Sequence, residues 1–468
     1  MGVAAPPITE TGFTRAAFDA FLASRREPDW LTEMRRAAWE AFEATPLPDM
    51  KQEEWRRTDI RLLRLDRFGL PGPPPADTAV PGALLAENVE LAGRTVALDS
   101  HPVHSRLDAK WQDRGVLFGS LDELVVEHGD LLRPHMSAGI VNPRADKFAA
   151  LHAAAWSGGT LLYVPRGVSI DQPLHILSAL SSTEKGTGPI CRNGPAGASH
   201  KLDLSRFPIE NVDLGHTLVV LEEGAEATLL AETASAAGPS AAGLHCGAVE
   251  IVVGPHARLR YVNLQNWGTG VWHFAHQRAL VHEDAQLQWT MGALGARLAK
   301  VNQHVALVGR RATTQVNGVM FTEGKQHLSY HTLQHHQEPE CSSDLRYKGA
   351  LQDNSHIVWR GMIHVDRDAF KTDGYQRNDN LMLSDSARAD SIPGLEILAD
   401  DVRCTHGATA GRVDDEQVFY ALTRGLTRKE AIRMIVAGFF QEVFDRITID
   451  SVRNALGDAI RRRVREYR

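Results

Sequence analysis

One recurring corner constrains this chain more than any other feature. Glu223-Gly224-Ala225, Gly254-Pro255-His256-Ala257, Glu283-Asp284-Ala285 and Arg310-Arg311-Ala312 each close on alanine after a polar or glycine turn. Those alanines stand 32, 28 and 27 residues apart. A period between roughly 20 and 50 residues marks units that cannot bury their apolar face alone and must stack on one another. Short β-prone runs lie around these corners, at 161–164, 218–221, 249–253, 305–308 and 357–359, with no helical pattern between them. Later corners, Asp353-Asn354-Ser355, Arg367-Asp368-Ala369 and Asp385-Ser386-Ala387, come closer together. The texture predicts a mainly β core over 156–411, a β-helix or another elongated stack. A propeller is the competitor, and no blade signature supports it.

Helical patterns flank this core. From Pro28, Leu31, Met34, Ala38 and Phe42 recur at three- and four-residue steps, as on one helix face, and Pro46 and Pro48 end the pattern. A Pro-rich stretch over 71–81 reads as a linker, and 121–127 as a short helix, within a helical and mixed N-terminal domain over 1–155. Residues 181–210, rich in Ser and Gly, read as a flexible insertion that carries Cys191. A helical C-terminal domain spans 412–468. Asp414 is its candidate N-cap, Gly425 a stop, and Thr427 with Glu430 a capping box. The run Ile432, Ile435, Val436, Phe439, Phe440, Val443, Phe444 is richer in large side chains than a helical appendage needs for itself. The last helix sets Val452, Leu456, Ile460 and Val464 on one face, opposite a face rich in arginine.

Charge and composition exclude several classes. With 51 basic and 58 acidic residues the net charge is −7, so no cationic field marks nucleic acid as a partner. The longest apolar run, 434–440, is too short to span a bilayer. Glu10, Arg15 and Asp19 fall where a signal peptide needs apolar residues, so the expected location is cytoplasmic. The four cysteines, Cys191, Cys246, Cys341 and Cys404, form no CxxC pair, which excludes a zinc ribbon or a self-contained ferredoxin. Residues 318–326 imitate a P-loop but have one residue too many between the glycines and Gln326 where magnesium needs a hydroxyl. No nucleotide is therefore expected on this chain.

Two groups of ligand-bearing residues stand out. His327, His331 and His335 recur every four residues. In a strand they share a face but spread over roughly 13 Å, too far for one ion to touch all three. Cys404-Thr405-His406 sets a thiol and an imidazole on the same side of an extended chain, where both can ligate a soft transition metal, with Asp400 and Asp401 beside them. A structural role for this pair is the competing reading.

The stretches Arg377-Asn-Asp-Asn-Leu-Met-Leu-Ser384, Pro393-Gly-Leu-Glu-Ile397 and Ala399-Asp-Asp-Val-Arg-Cys-Thr-His-Gly-Ala-Thr409 resemble the SufB/SufD family of iron–sulfur cluster assembly proteins. Gln417-Val-Phe-Tyr420, Met434-Ile-Val-Ala-Gly-Phe-Phe440, Tyr163-Val-Pro-Arg-Gly167 and Glu53-Glu-Trp-Arg-Arg-Thr-Asp59 continue the resemblance. It is most similar to the SufD branch: Gly407 and Ile397 stand where SufB-type scaffolds place a glutamate and a cysteine. The resemblance implies a right-handed parallel β-helix between helical N- and C-terminal domains. It implies a non-catalytic subunit that pairs with a SufB-like paralogue and binds a SufC-like ATPase through the C-terminal helices. It also implies a transient iron–sulfur cluster, or iron, shared with the paralogue, with His406 and Cys404 as ligands. The segment 383–409 is expected to meet the paralogue and 414–447 the ATPase, with a homodimer as the alternative assembly of the isolated chain. The alternatives are a SufB-like scaffold, or a polysaccharide-acting β-helix enzyme using carboxylates such as Asp366, Asp368 or Asp373.

Overall fold

The computed structural model describes residues 12–72, 79–87, 89–181, 211–236 and 242–464. Nearly all of the expected insertion 181–210, with Cys191, lies outside these residues. The strands in chain order are β1 (Gly93–Leu98), β2 (His101–Leu107), β3 (Leu117–Ser120), β4 (Thr160–Val164), β5 (Leu174–Leu180), β6 (Asn211–Asp213), β7 (His216–Leu221), β8 (Glu226–Ser235), β9 (Ala242–Val253) and β10 (Arg258–Asn266). They continue as β11 (Gly270–Val281), β12 (Gln286–Ala293), β13 (Leu298–Leu307), β14 (Thr313–Thr322), β15 (His327–His336), β16 (Ser342–Leu351), β17 (His356–Val365), β18 (Asp373–Met382), β19 (Arg388–Ile397) and β20 (Arg403–Arg412).

Two ten-stranded sheets face each other. One runs β2-β1-β5-β8-β10-β12-β14-β16-β18-β20, the other β19-β17-β15-β13-β11-β9-β7-β4-β3, with β6 paired to β9. From β7 onward the chain alternates between the sheets, and each strand pairs in parallel with the strand one coil away. The core is thus a parallel β-solenoid, mainly β as the corner period predicts.

The corner alanines are one physical position repeated. Ala225, Ala257, Ala285 and Ala312 are all buried, and Cys341 and Thr372 continue their column. The residue before each is left-handed: Gly224, His256, Asp284, Arg311, Glu340 and Lys371 all have φ between 54° and 68°. For residues other than glycine this conformation costs about 1–3 kcal/mol. The next coil offsets it, because the strained residue's own N–H finds an acceptor there. His256 N donates to Glu283 O (2.8 Å), Asp284 N to Arg310 O (3.0 Å) and Lys371 N to Asp401 O (2.7 Å). Asp401 (φ 55°) repeats the geometry in the last coil, beyond which no coil follows.

Inside, Tyr261, Trp289, Tyr330, Tyr347 and Trp359 fill the space between the sheets. Gly318 is glycine because the Tyr347 ring lies where its Cβ would project. The P-loop imitation at 318–326 is therefore the end of β14 and a coil corner, with Gly324 at φ 62°, and not a loop that opens a helix.

Helices cover both outer faces. Helices α1 (Arg15–Ala23), α2 (Asp29–Ala44), α3 (Ala109–Gln112), α4 (Leu121–Glu127), α5 (Gly129–Met136) and α6 (Lys147–Ala155) precede most of the solenoid. Phe18, Trp39 and Phe42 of α1 and α2, with Trp55, join Phe148 of α6, which stacks on Phe274 of β11 at 3.6 Å. Arg35 is fully buried here, held by Glu27 (2.8 Å) and by the carbonyls of Ala154 and Trp156. At the other end of the chain come α7 (Asp415–Thr423), α8 (Arg428–Phe444) and α9 (Asp450–Arg463). Asp414 caps α7, and Thr427 with Glu430 forms the capping box of α8. Ile432, Val436, Phe440, Val443, Leu456 and Ile460 bury themselves on Leu264, Val319, Phe321 and Ala350 of the first sheet. Most of the apolar run that looked excessive for an appendage is spent on this chain's own sheet.

Candidate functional site

The two ends of the solenoid differ. At the N-terminal end β2 and β3 close the sheets as antiparallel strands. At the other end β19 and β20 are outermost, each ten residues long, and neither contains a buried residue. Every strand from β7 to β18 contains several. The last coil therefore has neighbours on one side only.

Cys404 and His406 sit on this coil. Cys404 is in register with Gly374 and His406 with Gln376, two buried positions of β18, so both side chains belong to the face that looks into the lumen. Cys404 is half-buried, packed beside Ile363, Val365, Ala369 and Val402, and burial pushes its thiol pKa up. His406 is exposed. Beneath the pair, Gln376 Nε2 donates to Gly394 O at 2.8 Å and so ties the two sheets together. Asn380 Nδ2 donates to Asn378 Oδ1 (2.7 Å) and to Ser391 Oγ (3.0 Å), and Ser391 Oγ donates to Asn378 Oδ1 (2.6 Å). These amides form a polar floor under the open mouth. Asp379 takes Arg377 and Thr409 Oγ1 (2.6 Å). The arrangement offers one thiol and one imidazole about 7 Å apart along an exposed strand. Two exchangeable ligands can hold part of a metal's shell and leave the rest to another molecule. Among the described residues neither belongs to a group of three ligand-bearing side chains within 4.8 Å.

The histidines of β15 do not meet one another. His327 meets His356 of the next coil (Nδ1 to Nδ1, 3.1 Å), and His356 Nε2 lies 2.7 Å from Asp390. Burial lowers the His331 pKa to about 2, with Lys300 and Arg360 adding to the effect. His335 meets His364 and Asp366, which sequence reasoning did not connect with it. The signal was available: His327 to His356 and His335 to His364 are both steps of 29 residues, one coil length.

The remaining described cysteines are structural. Cys246 is buried among the aromatics under α6, and burial raises its pKa well above the ordinary thiol value. Cys341 takes the corner alanine's place, and its Sγ donates to Gly309 O at 3.2 Å.

Comparison with known proteins adds an independent observation. Residues 208–439 match the family described as "SUF system FeS cluster assembly, SufBD core domain". Residues 20–176 match "SufBD protein N-terminal region". Among similar curated proteins, an iron–sulfur cluster assembly SufBD family protein of Staphylococcus epidermidis is 26% identical, over 92% of this chain and 89% of that protein. Counterparts in Staphylococcus haemolyticus and Staphylococcus aureus, bearing the same description, are 26% and 25% identical with the same coverage.

Proposed function

As the chain belongs to the SufBD family of iron–sulfur cluster assembly proteins, we propose that it is the SufD-like, non-catalytic subunit of a cytoplasmic assembly complex. In this reading it pairs with a SufB-like paralogue through 383–409 and binds a SufC-like ATPase through 414–447. The shared site receives iron and sulfide as cargo, and His406, with Cys404 as helper, supplies this chain's ligands.

The observation that carries the reading is the unfinished terminal coil. Unpaired backbone groups on two long edges call for another chain's strands. Leu395, Ile397 and Leu398 at this end are exposed apolar side chains that solvent does not favour. The ATPase reading draws support from a second surface. Phe419, Tyr420 and Leu422 of α7 and Met434 of α8 are exposed, Phe419 by 68%.

Gly407 and Ile397 support the SufD-like over the SufB-like assignment, because a stable scaffold needs more ligands than this coil carries. Two of the three carboxylates of the polysaccharide reading are already engaged, Asp366 by two histidines and Asp373 by Arg403.

The test is cluster reconstitution on the chain co-expressed with a SufB-like paralogue and the ATPase. A three-component complex that forms a cluster, with the isolated chain forming none, is expected. A chain that assembles a stable cluster alone would make it a scaffold.

A further inference from the structure

On the outer face of the second sheet, away from the lumen, three side chains converge. His335 of β15 and His364 of β17 stand in register on adjacent coils. Both Nε2 atoms approach the same carboxylate oxygen, Asp366 Oδ1, at 3.0 and 2.9 Å. The rings are perpendicular, at 87° with centroids 4.6 Å apart, while His304 and His335 along the same face stack at 20°. Parallel stacking would leave the two nitrogens pointing past Asp366, whereas the perpendicular arrangement aims both at it.

The other ring nitrogens are also occupied. His364 Nδ1 lies 3.2 Å from Glu396 Oε2 on edge strand β19, and His335 Nδ1 lies 3.2 Å from the Gln337 amide. Gln337 Nε2 donates to His335 Nδ1, so a neutral His335 offers its Nε2–H to Asp366, whereas His364 faces a carboxylate through each of its nitrogens. A metal ion bound here takes the place of the protons that the two Nε2 atoms otherwise share with Asp366 Oδ1. An outer carboxylate such as Glu396 beside His364 Nδ1 is the usual surrounding of a ligating histidine. Donor atoms bound to a transition ion at about 2.1 Å stand about 3.0–3.5 Å from one another, which the observed spacings approach with little movement.

We propose that His335 Nε2, His364 Nε2 and Asp366 Oδ1 form a binding site for one divalent first-row transition ion. Two imidazoles and one carboxylate, with the remaining positions open, are the donor set of iron(II) sites, and zinc and cobalt(II) accept the same set. The side chains are 20%, 23% and 39% exposed, so water can complete the shell and the ion can exchange. The argument is independent of the cluster-assembly reading and uses neither Cys404 nor His406.

The test is a titration of the tag-free full chain with cobalt(II) under anaerobic conditions, followed by its visible ligand-field bands. One equivalent is expected to bind. His335→Ala, His364→Ala and Asp366→Asn should each weaken it at least tenfold, while His327→Ala leaves it unchanged. In parallel, diethyl pyrocarbonate modification of wild-type chain is mapped by mass spectrometry, which needs no variant to fold. Cobalt(II) should protect His335 and His364 together, and iron(II), the weaker binder of the two, should displace it only in excess. No saturable binding, binding unaffected by His335→Ala and His364→Ala, or no protection of the two histidines overturns the site.

Discussion

His406 and Cys404 share a strand face but meet different surroundings, and their variants should separate accordingly. His406 is exposed on an edge strand, so His406→Ala should change stability by less than about 0.5 kcal/mol. As a ligand it should still lower cluster yield in the reconstituted complex by on the order of tenfold. Cys404→Ser should be milder in yield and costlier in stability, because its sulfur packs on Ile363 and Val365. Thermal melts and cluster absorbance on the same samples check this, and full yield with His406→Ala would remove it from the chemistry. Glu250 gives a pH test. Burial raises its pKa from 4.5 to about 7, with Val141 N donating to it at 2.8 Å and His216, itself lowered to about 3 by burial, 3.7 Å away. The folded chain thus holds a proton that the unfolded chain has lost, and stability falls as pH rises from about 4.5 to 7. Glu250→Gln should match wild type near pH 4 and exceed it by roughly 1–3 kcal/mol at pH 8 in urea melts. Parallel pH profiles for the two proteins would show that Glu250 does not titrate in this way.

At the scale of elements, the parts legible in the sequence were those set by local chemistry. The corner ending in alanine and the Thr427–Glu430 capping box depend on neighbours within a few residues, and both are where their residues place them, the corner's left-handed backbone being added by the structure. The partners of β15's histidines were not legible from its own spacing. His335 finds His364 only through the length of the intervening coil, and His364 finds Glu396 only through the one after. The apolar run of α8 misled for a related reason. Periodicity shows that a face is apolar, but not whether a sheet of the same chain already covers it. The exposed side chains of α7 are thus the better probes of a partner. Phe419→Ser with Tyr420→Ser should abolish capture of the SufC-like ATPase and leave the melting temperature within about 2 °C, a surface-sized effect. At the open edge, Leu395→Glu should prevent pairing with the SufB-like paralogue and leave a folded monomer. Size-exclusion chromatography of co-expressed chains checks both, and unchanged complexes would place the contacts elsewhere.

The whole molecule is a solenoid held between two helical layers, so removing a layer is not a neutral operation. Deletion of 412–468 uncovers Leu264, Val319 and Phe321, each worth about 1.5–3 kcal/mol of burial. That is a large share of a typical stability of about 5–15 kcal/mol. The truncated chain should aggregate or bind a hydrophobic dye, and Phe440→Ala in the full chain should cost about 3–5 kcal/mol in chemical denaturation. A soluble truncation with an unchanged solenoid melt would show that the helices are an appendage. The left-handed corners have a consequence for the order of events in the cell. From His256 to Lys371 each strained corner is relieved by donating its N–H to a carbonyl of the coil that follows it, so every coil is finished by its successor. Asp401 has no successor within this chain. Under the proposed pairing, the last coil of a newly made molecule should be cut by proteases faster than the coils before it until the paralogue's strands cover it.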